Sequence, residues 1–182
     1  MKTKPEAAKF LKGSEAYYKA ACRVLSDSSC FCVLARTPTL LLPQEKRSPW
    51  RRKYFNLVKR KIQAGMPTVY IFSEAETLAK LREIKNPKRT LGEWRKFAAL
   101  SNLDLRRVAD SKFHSMVFGN TLLAVAEKDR KTGKSIAATI KPIQTCAKQL
   151  KEFFVAKNRS KTVCTRYLDG LEKRLLGTQK GR

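Results

Sequence analysis

His114 is the only histidine in the chain, and it lies in the segment KFHSMVFGN. A histidine can attack phosphorus or act as a general base when a partner group orients it and a neighbouring cation holds the phosphate charge. The sequence shows no carboxylate partnered with His114, and such a histidine is a poor base. We therefore predict a structural role for His114, with contact to a bound phosphate as the alternative.

No other catalytic pattern is present in the sequence. It contains no GxxxxGK loop for nucleotide phosphates, no GxSxG elbow for a serine nucleophile and no HExxH helix for zinc. Asp104, Asp110 and Glu127 could be neighbours in a two-metal nuclease, but the acidic residues are too scattered to favour one. We expect no enzymatic activity, no metal site and no cofactor.

The five cysteines do not follow a metal-binding pattern. Cys30 and Cys32 lie two residues apart in CFCVLA, where the alternation of a strand would place both on one face. No matching pair of Cys or His follows, so a zinc site is not indicated. We interpret all five as reduced core residues of an intracellular protein; the other three are Cys22, Cys146 and Cys164.

Positive charge is the strongest signal in the composition. The 182 residues include 40 Lys and Arg against 15 Asp and Glu, a formal net charge of +25. A small domain needs a charge of only about 2 to 8 to stay soluble, and a larger excess opposes the compact state through self-repulsion. The sequence therefore predicts a polyanionic partner, with nucleic acid as the first choice and an anionic membrane as the second.

The cations that we predict to contact this partner fall mainly into three clusters along the chain. The candidate nucleic-acid-binding residues are Arg36, Arg47, Arg51, Arg52, Lys53, Lys59, Arg60, Lys61, Lys88, Arg89, Arg95, Lys128, Arg130, Lys131 and Lys134. Such clusters are typical of contacts with a phosphate backbone. No helix-turn-helix, zinc finger or RNA-recognition aromatic motif indicates base readout. Each cluster taken alone would also fit a solvated face.

Hydrophobic periodicity assigns the elements that must carry these residues. Helices are predicted over residues 14–25, 50–64, 74–83, 94–100, 144–156 and 163–176, and strands over 30–35, 68–72, 103–108 and 136–140. A hairpin turning at Gly119-Asn120 is predicted within residues 117–127. Gly65 should end the basic helix, and Ser73 with Glu76 should form a capping box at the start of the next helix.

This order of elements predicts an α/β fold with a mixed, mostly parallel sheet flanked by helices. Ligands of such open sheets bind beyond the carboxyl ends of the strands. Arg36, Thr37, Ser73 and the segment around His114 are therefore expected at one edge, and the helix that starts at Ser73 would favour an anion there. An ion pair of Arg36 with Glu74 or Glu76 is the simpler alternative.

The chain is predicted to contain one main domain and a short extension. Residues 1–157 form the α/β domain, and residues 158–182 form a basic linker that begins in KNRSKT, a helix and a tail. The N-terminal sequence MKTKPEAAKFLKG lacks the apolar stretch of a secretory signal. The longest apolar runs fall short of the roughly 18 residues that a membrane span needs. We expect a cytoplasmic protein.

The order of elements also resembles one half of the phospholipase D superfamily fold. It is most similar to the non-catalytic phospholipase D-like domain of some archaeal and bacterial regulators. The likeness covers about residues 10–157, and it is carried by AYYKAACRVL running into CFCVLARTP, by LVKRKIQAGMPTVYIF, by LRRVADSKFHSMVFGNTLLAVAE and by AKQLKEFFVAK.

What the resemblance implies about catalysis depends on one signature. Catalytic members carry His-x-Lys followed after four residues by Asp, with His as the nucleophile and Lys as the phosphate clamp. Here His114 matches the histidine, whereas Met116 holds the Lys position and Thr121 the Asp position. Methionine cannot neutralise a phosphate oxygen, and the loss of one such contact costs about a hundredfold or more in rate. The resemblance thus implies a degenerate, non-catalytic domain.

Together these observations predict a non-enzymatic protein that binds the phosphate backbone of RNA or DNA, as a subunit of a nucleoprotein complex with other proteins. Two alternatives remain. One is a phospholipase D-like phosphodiesterase or nuclease with His114 as the nucleophile. The other is a ligand-sensing regulatory module, which would carry an apolar pocket at the strand ends.

Overall fold

A computed structural model describes residues 9–35, 48–109, 116–119, 122–128, 135–142, 144 and 146–177. The strands are β1 Lys9–Lys12, β2 Phe31–Ala35, β3 Thr68–Ser73, β4 Leu103–Val108, β5 Met116–Phe118, β6 Leu122–Lys128, β7 Ser135–Pro142 and β8 Lys161–Thr162. The helices are α1 Gly13–Ser26, α2 Pro49–Gln63, α3 Glu74–Arg82, α4 Pro87–Ala98, α5 Ala147–Arg159 and α6 Thr165–Gly177.

All the described strands join one sheet in the order β1-β7-β6-β5-β2-β3-β4-β8. β2, β3 and β4 pair in parallel, so their carboxyl ends lie at one edge of the sheet. The pairs on either side of this parallel centre are antiparallel. The prediction of an α/β fold with a mixed sheet flanked by helices is confirmed.

The two faces of the sheet bury different sets of side chains. Val33, Tyr70 and Leu105 are aligned across β2, β3 and β4, and all three belong to the main core with α1, α2, α4 and α6. Leu34 and Ile71, one residue further on, point to the opposite face and pack with Phe153 of α5. This alternation follows from the period of two in a strand. It leaves α2 and α5 on opposite sides of the sheet.

Helix α2 forms where the sequence predicts the basic helix. Pro49 stands at its first turn, and its apolar side buries Tyr54, Phe55, Val58 and Ile62. Gly65 then adopts φ 94°. The Gly65 N–H donates to the Ile62 carbonyl at 3.0 Å and the Met66 N–H to the Lys61 carbonyl at 3.0 Å, which is the Schellman pattern. The prediction that Gly65 ends this helix is confirmed.

Helix α4 begins earlier than predicted. The sequence predicted a helix only over residues 94–100, but α4 starts at Pro87 and ends at Ala98. The Asn86 side chain accepts a hydrogen bond from the Arg89 N–H at 3.1 Å, and Pro87 occupies the first turn. Asn-Pro is therefore an N-cap followed by a helix-starting proline, and the predicted helix start at residue 94 is wrong.

The predicted capping box at α3 is not formed. Ser73 ends β3 with an extended backbone, and its side chain makes no capping hydrogen bond. The Ser73 hydroxyl is fully buried without a hydrogen-bond partner among the described residues. The Thr77 hydroxyl instead donates to the Ser73 carbonyl at 2.5 Å. The carbonyl group of Ser73, rather than its hydroxyl, thus holds the first turn of α3.

The segment predicted as a linker is part of the folded structure. α5 continues to Arg159, and Lys161–Thr162 then form β8 against β4. The Val163 N–H donates to the Leu105 carbonyl at 2.9 Å. α6 buries Tyr167, Leu168, Leu171 and Leu175 in the main core. The linker prediction is wrong because a two-residue edge strand carries no hydrophobic periodicity.

All five cysteines lie among the described residues, and none forms a disulfide. Cys22 and Cys146 are buried, whereas Cys30 and Cys164 are exposed. Cys30 precedes β2, so it does not share a strand face with Cys32. Burial raises the pKa of the Cys32 thiol to about 11. The interpretation of all five as core residues is wrong for the two exposed cysteines.

Candidate nucleic-acid interface

Helix α2 presents a cationic surface because its apolar side is used by the core. Its 15 residues, PWRRKYFNLVKRKIQ, include six Lys and Arg and no acidic residue. Once Tyr54, Phe55, Val58 and Ile62 are buried, the remaining positions lie at the flanks or on the outer side. At 1.5 Å per residue the helix extends the charge over about 22 Å.

A polar groove runs along the outer side of α2. It is lined by Pro49, Arg52, Lys53, Asn56, Lys59, Arg60 and Gln63. The spacing of Arg52, Asn56, Arg60 and Gln63 follows the helical repeat, so these side chains form one stripe. Arg52, Lys53 and Arg60 are exposed, and within the part of the chain that the structure describes none of them forms an ion pair. We call Arg52, Lys53, Asn56, Arg60 and Gln63 the outer stripe.

The other three cations of α2 hold the helix against its neighbours. The guanidinium of Arg51 lies 5.8 Å from the Tyr18 ring centroid of α1. The Lys61 ammonium donates to the Ser26 carbonyl at 2.9 Å. The Lys59 ammonium lies 5.8 Å from the Phe97 ring of α4, and burial lowers the pKa of Lys59. These contacts fix α2 between α1 and α4.

The second predicted cluster is divided between cations that face solvent and one that pairs with α6. Lys88 and Arg89 are exposed in the first turn of α4. Arg95 instead donates to Asp169 at 2.8 Å and to Glu172 at 2.6 Å, both on α6. The hydrogen bonds to Glu172 and Asp169 raise the pKa of Arg95. Arg95 thus ties α4 to α6, and we leave it out of the candidate interface.

Several predicted residues lie outside the described residues, namely Arg36, Thr37, Arg47, Asp110, His114, Thr121, Arg130, Lys131 and Lys134. Lys128 is described only as the last residue of β6, opposite Ser135 of β7. Met116, at the predicted Lys position of the signature, begins β5 and is opposite Leu34 of β2. The third predicted cluster therefore stays a prediction.

Sequence reasoning missed two cations of α1. Lys19 and Arg23 are exposed and one helical turn apart, on the side away from Ala20, Ala21 and Leu25. The Lys19 ammonium lies 5.1 Å from the Trp50 ring of α2. The spacing of Lys19 and Arg23 could have identified them as one exposed pair, but only the packing of α1 beside α2 places this pair near the outer stripe.

The carboxyl edge of the parallel strands is less suited to an anion than predicted. Glu74 and Glu76 occupy the first turn of α3, where their negative charges already interact favourably with the helix dipole. Glu74 pairs with Arg107 of β4, and Arg174 of α6 approaches it at 3.4 Å. The Arg107 guanidinium lies 4.0 Å from the ring of Tyr167. Among the residues that the structure describes at this edge, Arg107 and Arg174 are thus paired with Glu74, in contrast to the cations of the outer stripe.

Two further features concern ligands and membranes. Across residues 9–35, 48–109 and the other described ranges, no three His, Cys, Asp or Glu side chains are grouped to hold a metal ion. None of the helices in these ranges is long and apolar enough to cross a bilayer.

The sheet order and the helix layers define an α/β fold in which the basic helix α2 lies on one side of the sheet. Solved structures with a similar fold include the following three. The chain is 14% identical to TrmBL2, an archaeal chromatin protein whose structure shows a novel mode of DNA binding; the TM-score is 0.59, over 87% of this chain and 54% of that one. It is 10% identical to the phosphatidylserine synthase of Haemophilus influenzae Rd KW20, with a TM-score of 0.55 over 96% of this chain and 45% of that one.

The third structure is Nuc, a phospholipase D family member from Salmonella typhimurium. Its identity is 9% and its TM-score 0.51, over 87% of this chain and 100% of Nuc. The chain spans about half the length of the first two proteins. No protein-family model and no curated protein matches the sequence. At these identities the likeness establishes the fold, and function has to be argued from the site.

Proposed function

We propose that this protein binds nucleic acid without catalysis, through phosphate contacts made by the outer stripe of α2. The observation that carries the proposal is that Arg52, Lys53 and Arg60 are exposed on a helix with no acidic residue, and none has an ion-pair partner among the described residues. Desolvating such charges is unfavourable unless an anion replaces the water. A phosphate backbone supplies anions at regular intervals along this helix, which is about 22 Å long.

The wider charge distribution supports the same proposal. Several described acids, among them Glu74, Asp169 and Glu172, already pair with Arg side chains of the protein itself. The chain still carries a net charge of +25 after every acid is counted. A similar fold occurs in TrmBL2, a chromatin protein that binds DNA. Lys88, Arg89, Lys19 and Arg23 extend the proposed interface to α4 and α1.

Recognition in this proposal rests on the phosphate backbone and on shape, so RNA and DNA are both candidate polymers. Binding of this kind weakens steeply with salt because counterions are released. A subunit of a nucleoprotein complex would account for the size of the positive charge, and the cytoplasm is then its proposed location. Nucleic acid that co-purifies at low salt, once sequenced, would identify the polymer.

The proposal is tested by removing two charges of the outer stripe. In Arg52→Gln/Arg60→Gln we expect duplex DNA or RNA affinity to fall about 60-fold near 0.1 M salt, because two phosphate contacts are lost. The slope of log K against log salt should become shallower by about 1.8. Fluorescence anisotropy over a salt series measures both quantities.

Helix α5 offers the matched control. Lys148 and Lys151 are exposed on the opposite side of the sheet, so Lys148→Gln/Lys151→Gln removes the same charge from a different surface. We expect this variant to retain most of the affinity. Equal losses in the two variants would mean that only net charge matters, and they would contradict a site on α2.

The alternative function is phosphodiester hydrolysis. The observation that favours it is the fold shared with Nuc and with a phosphatidylserine synthase. Against it stands Met116, which takes the position where the resemblance expects the phosphate-binding lysine. We propose that the chain has lost this chemistry.

A further inference from the structure

Trp50 is placed differently from the other tryptophan of the chain. Trp94 is fully buried and packs edge-on against Phe72 at 5.7 Å. Trp50 lies in the first turn of α2, next to Arg52 and Lys53 of the outer stripe, and it is only partly buried against the core. One aromatic surface is therefore available beside the unpaired cations.

Two ammonium groups accompany the Trp50 ring. The Lys53 ammonium lies 4.6 Å and the Lys19 ammonium 5.1 Å from its centroid. Both side chains are exposed, and Lys19 also pairs with Glu15 at 2.9 Å. We call Trp50, Lys19 and Lys53 the Trp50 corner. It combines a flat apolar surface with two exposed cations that come from different helices.

This combination fits an unpaired nucleotide. A base that is free of its partner can stack on an aromatic ring, and its phosphate then lies within reach of cations at the rim of the ring. A duplex keeps its bases inside the stack, so a half-buried indole at the surface adds little to duplex binding. We propose that the Trp50 corner is a stacking site for an unpaired base of single-stranded nucleic acid.

This inference rests on the proposed function, and it adds that the protein prefers single strands to a duplex. Stacking would take the place of the cation–π contacts, releasing Lys19 and Lys53 to the phosphates. If Trp50 only covered the junction of α1 and α2, its replacement would weaken folding, and single-stranded and duplex binding would change together. The two roles therefore differ in what they do to strand preference.

The test compares Trp50→Leu with wild type on oligo-dT, oligo-rU and a duplex of equal length. We expect Trp50→Leu to bind single strands about tenfold to a hundredfold more weakly, since each stacked base contributes on this scale. Duplex affinity should change by less than about twofold. Trp50→Phe should lie between wild type and Trp50→Leu. The dT and rU arms distinguish DNA from RNA.

Phe154 supplies the matched control, because it is a 54% exposed aromatic side chain on the opposite side of the sheet. Phe154→Leu should leave both affinities unchanged. An equal loss for single strands and duplex in Trp50→Leu, or no loss at all, would overturn the inference while leaving the proposed function intact. If the wild-type protein binds no nucleic acid at low salt, both fail.

Fluorescence gives a second measurement that needs no variant at this position. Because Trp94 is fully buried, a base can reach only Trp50 among the two tryptophans. Saturation with a single strand should quench and shift the emission, and saturation with duplex should not. An unchanged emission spectrum at saturating oligo-dT and oligo-rU would overturn the inference even if Trp50→Leu did not fold.

Discussion

Arg52 and Arg95 are both arginines of amphipathic helices, yet their surroundings give them different roles. Arg95 shares two carboxylates of α6, and partly exposed ion pairs of this kind contribute up to about 1 kcal/mol each. A phosphate would have to displace those carboxylates. Arg52 forms no ion pair with any described residue, so a phosphate can bind it without displacing a carboxylate of those residues.

His114 carries the prediction that separates binding from catalysis. We expect neither the wild-type protein nor His114→Ala to hydrolyse DNA, RNA or a simple phosphodiester, because Met116 cannot hold a phosphate charge. Nucleic-acid affinity of the variant should equal that of the wild type. Hydrolysis that the wild type shows and His114→Ala loses would instead identify a phosphodiesterase.

At the scale of elements, glycines give the sharpest stability prediction. A Cβ at Gly119, just after β5, would overlap the Ser28 hydroxyl oxygen and lie 2.6 Å from the Ser28 Cβ. Ser28 is buried and its hydroxyl donates to the Val24 carbonyl, so it has little room to move. We expect Gly119→Ala to lower the free energy of unfolding by about 1 to 3 kcal/mol, as measured by urea denaturation.

Gly92 provides the control for this prediction. It lies inside α4, and a Cβ there meets nothing within 4 Å. Gly92→Ala should therefore raise the free energy of unfolding by about 0.5 to 1 kcal/mol, because alanine loses less backbone entropy in a helix. Equal stabilities of Gly119→Ala and wild type would show that the β5 end can move away from Ser28.

At the scale of the whole molecule, the last helix belongs to the core. A chain ending at Arg159 would lack Tyr167, Leu168, Leu171 and Leu175, which are buried beside α4. Burial of such side chains contributes about 1.5 to 3 kcal/mol each, and a domain is stable by only about 5 to 15 kcal/mol. We expect the truncated chain not to fold, as judged by circular dichroism and limited proteolysis. A cooperative melt near that of the full chain would support the predicted domain boundary at residue 157 instead.

Much of the local structure could be predicted from the sequence. The basic helix predicted over residues 50–64 is Pro49–Gln63, and the strand predicted over 103–108 is β4. The period of 3.6 residues in a helix and of two residues in a strand follows from backbone geometry, and it is visible in the spacing of apolar residues within a short segment. Two elements were predicted wrongly because they do not depend on such a period. The start of α4 depends on the Asn-Pro cap, and β8 depends on its pairing with the edge of β4.

The sequence by itself determined the charge surplus and the amphipathic helix that carries the outer stripe. Only the tertiary structure decided which cations are available. Arg95 meets Asp169 and Glu172 across 74 and 77 residues of chain, and Lys19 meets Trp50 across the junction of α1 and α2. Such pairs arise when the sheet brings distant segments together, and no local pattern in the chain encodes them.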